Sequence, residues 1–223
     1  MLSAAVGRKK IRRPHAERSA ETRRKILGAA AECIAELGFS NASMLSIASR
    51  AGVSLGAVQH QFGDKDAIID AVIERCLQEF NGLLTGLRAA EPELKRRVRA
   101  FTERAWVGHT GPYYRIVLDI LLHCPEKTER LAAAHTTLWA EIFGDLRLPA
   151  PQLLAAQRFT FMMLGGIALE SVVVPGVEPA NDHFVVLERT LLGMLAGSDR
   201  TQPVSGRGRR GGNVRPHSGR KGV

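Results

Sequence analysis

An all-α fold is what the sequence predicts, on three observations. Between two polar ends, the 223-residue chain places apolar residues at three- and four-residue steps almost throughout. No strict apolar and polar alternation lasts beyond about five residues, so no strand pattern competes. Gly follows several of the periodic runs and Ser or Asp precedes them, which is the punctuation of helix ends.

The elements follow in order. Ile26, Ala30, Cys33 and Leu37 define a first helix over about 20–37. Gly38 ends it, because glycine takes positive φ at little cost, and Phe39 can then fold back on Ile34. Ser43 caps a short second helix carrying Ile47 and Ala48, which Ala51-Gly52 closes. After Val53, Ser54 caps a third helix of about two turns that ends near Phe62. Helices this short do not persist alone in water, so they depend on the first helix and on a long fourth. The fourth opens with Asp64 as its cap, and Ile69, Ile73, Cys76, Phe80, Leu84 and Leu87 mark its buried stripe to about residue 88. Pro92 suits the first position of a fifth helix, with Leu94, Val98, Phe101 and Ala105 on one face. Further helices are predicted over about 112–123, 126–144, 150–174 and 180–196. The stretches 159–174 and 184–195 are apolar on every side, a pattern expected of helices buried all round.

Composition narrows the function classes. With 45% hydrophobic and 24% charged residues the chain is ordinary globular material, neither collagenous nor disulfide-stapled. The longest apolar run, Phe161 to Leu169, is about half of the roughly 20 residues a membrane span requires, so no membrane partner is expected. The amino end sets a short apolar piece before its charges, the reverse of a secretory signal. Cys33, Cys76 and Cys124 are odd in number and lack CxxC spacing, which fits a reducing, cytoplasmic setting. The net charge of +9 belongs to the ends: residues 1–25 carry nine Lys and Arg against Glu17 and Glu21, and 198–223 carry seven against Asp199. The Gly/Arg-rich 198–223 segment is expected to be a disordered tail, either a solvated solubilising one or a non-specific nucleic-acid binder. Residues 1–18 are expected to form a basic arm leading into the first helix.

Two helices of about eight residues joined by a Gly-containing turn form a helix-turn-helix over about 43–62, whose second helix enters the DNA major groove. The stretch IASRAGVSLGAVQHQFGDKDAIIDAV resembles the signature of the TetR family of bacterial transcriptional regulators. Ile47, Ala48, Ala51, Gly52, Val53, Ser54, Gly56, Val58, Phe62 and Lys65 match its pattern, and the resemblance extends over about 19–80. Gln59 and Gln61 stand where the family usually has Tyr and His or Tyr, at positions that usually touch phosphate. The resemblance implies a DNA-binding head at 19–80, a helical effector-binding and dimerisation domain at 81–197, a homodimer and an unknown small-molecule effector. The expected function is a sequence-specific regulator of double-stranded DNA, a repressor released by that effector. The alternative is a non-specific nucleoid-type binder working through basic tails.

Each head residue carries a physical expectation. Gly56 lies inside a helix, where glycine costs roughly 1 kcal/mol against alanine, so either DNA or the first helix must come close there. Lys65 opposes the helix dipole in the first turn of its helix, which a phosphate would offset; the alternative is pairing with Asp64 or Asp66. Gln59 and Gln61 suit phosphate or adenine edges, His60 guanine or phosphate, and Leu55 and Ala57 the thymine methyl. Ser43 and Ser54, the caps of the two short helices, are counted with these residues as expected DNA contacts. One difficulty remains, since residues 26–80 hold seven acidic residues against Arg50, Lys65 and Arg75. Arg23, Arg24 and Lys25, with Arg12, Arg13 and Arg18 upstream, supply the missing attraction.

For an effector, the expected pocket residues are Trp106, His109, Tyr113, Tyr114 and Arg115, together with His123, Trp139, Phe143 and Met162. Arg115 and the histidines would suit an anionic or hydrogen-bonding ligand. For a dimer, the expected contacts are Phe161, Leu164, Gly165, Ala168 and Val172 on one helix, and Phe184, Leu187, Leu191 and Met194 on the next, with Gly165 and Gly166 permitting a close crossing. Enzyme activity is not expected: His123 and Cys124, as helix neighbours, point about 100° apart, and no catalytic, cofactor or metal fingerprint appears.

Overall fold

A computed structural model describes residues 15–174 and 181–197. Among them the chain forms α1 (His15–Leu37), α2 (Met44–Ala51), α3 (Leu55–Phe62), α4 (Lys65–Leu84), α5 (Leu87–Ala90), α6 (Leu94–Thr110), α7 (Pro112–His123), α8 (Thr128–Phe143), α9 (Ala150–Val173) and α10 (Asn181–Leu195). A 3-10 turn at Pro125–Lys127 leads into α8. The fold class is all-α, as the helical periodicity predicts. The expectations for residues 1–14 and 198–223 lie outside the described residues.

Caps fix the head. Gly38 sits at φ 79° and its N–H returns to the Ile34 carbonyl. Ser43 accepts from the Ser46 N–H, and the Ser46 hydroxyl accepts from the Ser43 N–H, a reciprocal capping box. Ser54 and Asp64 cap α3 and α4 by accepting from the Ala57 and Ala67 N–H groups. Three boundaries differ from expectation. The first helix begins at His15, about five residues early. The fourth stops at Leu84, because Gly86 at φ 74° turns the chain before the separate four-residue α5. Pro92 lies just outside α6, whose cap position is Glu93.

Two cores organise these helices. The first gathers Ile26, Ala30 and Ile34 from α1, Ile47 from α2, Val58 from α3, Ile69 and Ile73 from α4, and Ile116 and Ile120 from α7. The second gathers Leu84, Val98, Phe101, Leu138, Phe143, Leu164, Leu187 and Leu191 from α4, α6, α8, α9 and α10. Arg97, buried among them, donates to the carbonyls of Glu91, Pro92 and Ile142 and to the Asp145 carboxylate, so its charge is fully partnered. It ties the α5–α6 turn to the end of α8.

The second core corrects the expected dimer contacts. Leu164, Ala168, Leu187 and Leu191 are buried within the protomer, and Phe184 packs edge-on against Trp106 at 5.0 Å. Phe161 faces inward, and Met194 packs half-buried against the second core. A Cβ on Gly165 would lie 3.1 Å from the Tyr114 hydroxyl, so its close neighbour is α7, whereas Gly166 has open space. The Val172 side chain lies outside the described residues. α9 and α10 therefore present different apolar residues to solvent: Met162, 75% exposed, with Leu169, Val173, Val185 and Val186. The expectation failed because helices apolar all round carry no periodic signal for which face turns inward.

Candidate DNA-binding head and effector cavity

α2 and α3 form the helix-turn-helix, joined through Gly52 at φ 65°. Leu55, Gln59 and His60 are exposed along α3, while Val58 anchors it in the core. A Cβ on Gly56 would meet only the Ser54 hydroxyl oxygen at 3.9 Å, so no internal neighbour requires glycine there. Of the two readings of Gly56, the close approach of the first helix is absent.

Other head residues are engaged within the protein. The Gln61 amide donates to the Ser19 hydroxyl at 3.0 Å, so its side chain ties α3 to α1 rather than reaching outward. Arg23 donates to the Gln61 carbonyl at 3.0 Å and lies over the Phe62 ring at 4.1 Å, clamping the end of α3. Lys25 pairs with Glu21 at 3.3 Å, and Arg24 is exposed. Lys65 pairs with neither Asp64 nor Asp66: its ammonium donates to the Phe39 carbonyl at 2.9 Å and sits 4.4 Å from the Phe39 ring centre. Arg18, Ser19, Thr22, Ala57, His60 and Gln61 together line a shallow polar hollow between α1 and α3.

The acidity of the head is answered internally. Arg50 pairs with Glu32 and Glu36, and Arg75 with Glu79. Asp64 caps α4. Lys127, from the turn before α8, bridges Asp66 at 2.7 Å and Asp70 at 2.8 Å, and Arg130 pairs with Glu74 at 2.6 Å. Burial pulls Lys127 down, but the two carboxylates outweigh it and raise it to about 12. All seven carboxylates therefore have partners, and two of the cations come from outside the head, where sequence arithmetic on 26–80 could not count them.

Behind the head lies a cavity of about 250 Å³. Its walls are Cys76, Leu77 and Phe80 from α4, Gly108 and His109 from α6, Tyr113, Tyr114, Val117, Leu118 and Leu121 from α7, Leu131 and His135 from α8, and Phe161 and Gly165 from α9. A Cβ on Gly108 would fall 2.4 Å from the Phe80 ring, so glycine there leaves room for Phe80. Burial shifts every titratable wall group toward its neutral form. It raises Cys76 to about 12, raises Tyr114, lowers His109 against the pull of the Ala105 carbonyl, and lowers His135 to about 4 with help from His109.

His109, Tyr113 and Tyr114 thus line the cavity, and the other expected pocket residues do not. Trp106 packs on Phe184, while Trp139 and Phe143 belong to the second core, packed edge-on around Phe101. His123 stacks on Phe39 at 5.2 Å, and Arg115 and Met162 face solvent. Two residues that matter most were missed. His135 interrupts the inward α8 stripe of Leu131, Leu138 and Ile142, a polar residue on an apolar face, which was a readable signal. Phe161 was hidden by the all-round apolarity of α9. Among the described residues no three His, Cys, Asp or Glu side chains stand together as a metal site, and no helix is long and apolar enough to cross a membrane.

Comparison with known proteins agrees with this architecture. Residues 26–72 match the family of bacterial regulatory proteins, tetR family. The HTH-type transcriptional regulator BetI of Stenotrophomonas maltophilia is 28% identical over 162 residues, covering 69% of this chain and 83% of that protein. A BetI from Burkholderia mallei is 35% identical over 79 residues, 35% of this chain and 40% of that protein. In fold, a TetR family transcription regulator from Marinobacter aquaeolei VT8 superposes with a TM-score of 0.63 at 16% identity, over 81% of this chain and 98% of that one. The multidrug binding protein EbrR, complexed with imidazole, superposes at 0.60 with 19% identity, over 76% and 89% of the two chains. With a helix-turn-helix head on an all-α body and these relatives, residues 26–72 carry the DNA-binding domain of the bacterial regulatory proteins, tetR family, and the chain as a whole is similar in sequence and fold to TetR-family transcriptional regulators.

Proposed function

We propose that the chain acts as a repressor, binding a near-palindromic operator as a two-fold dimer and letting go when a small molecule fills the cavity. The observation that carries this reading is the double duty of α7. Ile116 and Ile120 belong to the core of the head, while Tyr113, Tyr114, Val117, Leu118 and Leu121 wall the cavity. A ligand that displaces α7 must therefore shift the packing under α1 and α4. In this reading residues 19–80 read DNA and 81–197 sense and dimerise.

Ser43, Ser54, Leu55, Gly56, Ala57, Gln59 and His60 contact the operator, with Lys65, Arg24 and the basic arm on its phosphates. Arg23 and Gln61 hold α3 in place. The exposed apolar residues of α9 and α10 support a dimer face, which would set two recognition helices about 34–36 Å apart. Relatives named as transcriptional regulators, and a structural neighbour named as a multidrug binding protein, support regulation by a small molecule over catalysis. Footprinting of DNA upstream of the gene, against excess bulk DNA and with a metabolite panel, tests the proposal. A protected near-palindrome that one compound releases is expected. Protection that bulk DNA removes equally at every sequence would overturn it in favour of a non-specific binder.

A further inference from the structure

The cavity wall also constrains what can occupy it. No Asp, Glu, Lys or Arg contributes to it, and burial keeps both of its histidines uncharged. A charged ligand would leave water with no free counter-charge on the wall to meet it, a penalty of several kcal/mol per ion; Arg75, which donates to the Tyr113 hydroxyl at 3.1 Å without lining the cavity, is already paired with Glu79. Arg115, the cation that would have invited an anion, faces solvent on another side of α7.

The histidines specify the polar part of the ligand. The His109 Nδ1 lies 2.8 Å from the Ala105 carbonyl, and a carbonyl only accepts, so Nδ1 carries the proton and Nε2 presents a lone pair. His135 lies flat on Phe161, with ring centres 4.1 Å apart and planes within 4°, and among the described residues neither of its nitrogens has a hydrogen-bond partner. A neutral imidazole with both nitrogens unpaired offers one donor and one acceptor. On an otherwise apolar wall these groups are the places where a ligand can gain hydrogen bonds, and they favour one that both donates and accepts. Phe80 and Tyr114 add aromatic surface beside them, with the His109 and Tyr114 rings 5.1 Å apart. A volume of about 250 Å³ falls below the roughly 300–1,000 Å³ of clefts for larger ligands.

We infer that the effector is an uncharged, compact aromatic molecule bearing one hydroxyl, its ring among Phe80, Tyr114 and Phe161 and its hydroxyl between His109 and His135. This rests on the reading of the cavity as the effector site and adds the chemical class. The hydroxyl donates to one imidazole nitrogen and accepts from the other imidazole.

The test is calorimetry on the full chain near neutral pH with four probes built on one naphthalene frame: 2-naphthol, naphthalene, 2-naphthoate and trimethyl(2-naphthyl)ammonium. 2-Naphthol is expected to bind at least about 10-fold more tightly than either ion and about 5-fold more tightly than naphthalene. His135→Phe keeps a ring stacked on Phe161 and is expected to leave naphthalene affinity within about 2-fold while erasing the preference for the hydroxyl. The proposal is overturned if either ion binds as well as 2-naphthol, if none of the four binds, or if the hydroxyl preference survives in His135→Phe. Operator retention is measured alongside. Cavity binding of 2-naphthol with this specificity, but without operator release, upholds the ligand class and overturns the release mechanism instead.

Discussion

Asp119 and Phe39, 80 residues apart in the chain, are joined by a hydrogen bond in which the Asp119 carboxylate accepts the Phe39 N–H at 2.6 Å. The carbonyl of the same Phe39 accepts from Lys65, and its ring stacks on His123. One residue in the α1–α2 turn is thus held from α7 on one side and holds a candidate phosphate ligand on the other. α7 also walls the cavity, so the contact is a short path between the cavity wall and the helix-turn-helix head.

Asp119→Ala should weaken that path more than it weakens the head itself. Coupling between sites commonly amounts to 1–3 kcal/mol, about 5–150-fold in affinity. The ratio of operator affinities without and with effector is expected to shrink to under about 3-fold, while effector-free affinity stays within about 3-fold of the parent. Fluorescence anisotropy with labelled operator reads both. An unchanged ratio would place the coupling elsewhere, with the Lys127 and Arg130 bridges to α4 the next candidates.

Lys65 separates a structural role from a binding one. An ammonium has three donors, and the Phe39 carbonyl takes one, leaving two for phosphate. Lys65→Met is therefore expected to weaken operator binding by about 5- to 10-fold and to reduce the slope of log affinity against log salt by about 1. Titration at several salt concentrations distinguishes the roles, since loss of the Phe39 contact alone would weaken binding without altering the slope.

The order and type of the helices were legible because each depends on local chemistry: Gly38, Ser43, Ser54 and Asp64 mark ends that the structure reproduces within a residue or so. Contacts that close over long sequence distances were not. Nothing local announces that Gln61 turns toward Ser19, or that Lys127 neutralises Asp66 and Asp70. The cavity was half legible for the same reason. His109, Tyr113 and Tyr114 lie near the α6–α7 junction, where one stretch of sequence supplies neighbouring wall residues, whereas Phe80, His135 and Phe161 reach it from three other helices.

His135 makes stability depend on acid. Burial and the neighbouring His109 hold it near 4, against about 6.5 in an unfolded chain. Between those values the unfolded state binds the extra proton, so stability falls as pH drops from about 6.5 to about 4 and is insensitive to this group above that window. The loss assigned to His135 is on the order of 2–3 kcal/mol at the bottom of the window. Urea unfolding of the parent and of His135→Phe across the window is expected to show the difference between them changing by that amount. Parallel curves would mean that His135 is solvated in solution.

Gly56 allows stability and recognition to be set against each other in one substitution. A methyl group there has open space inside the protein, and alanine in a helix interior is favoured over glycine by roughly 1 kcal/mol. Gly56→Ala should therefore raise the urea midpoint. If α3 presses its first turn against DNA, the same methyl group stands where the duplex must approach, and operator affinity should fall by about 10-fold or more. A variant that is both more stable and a poorer binder is the expected result. Retained affinity would show that the first turn of α3 stands clear of the duplex, and the docking geometry would have to be rebuilt around Gln59 and His60, further along the helix.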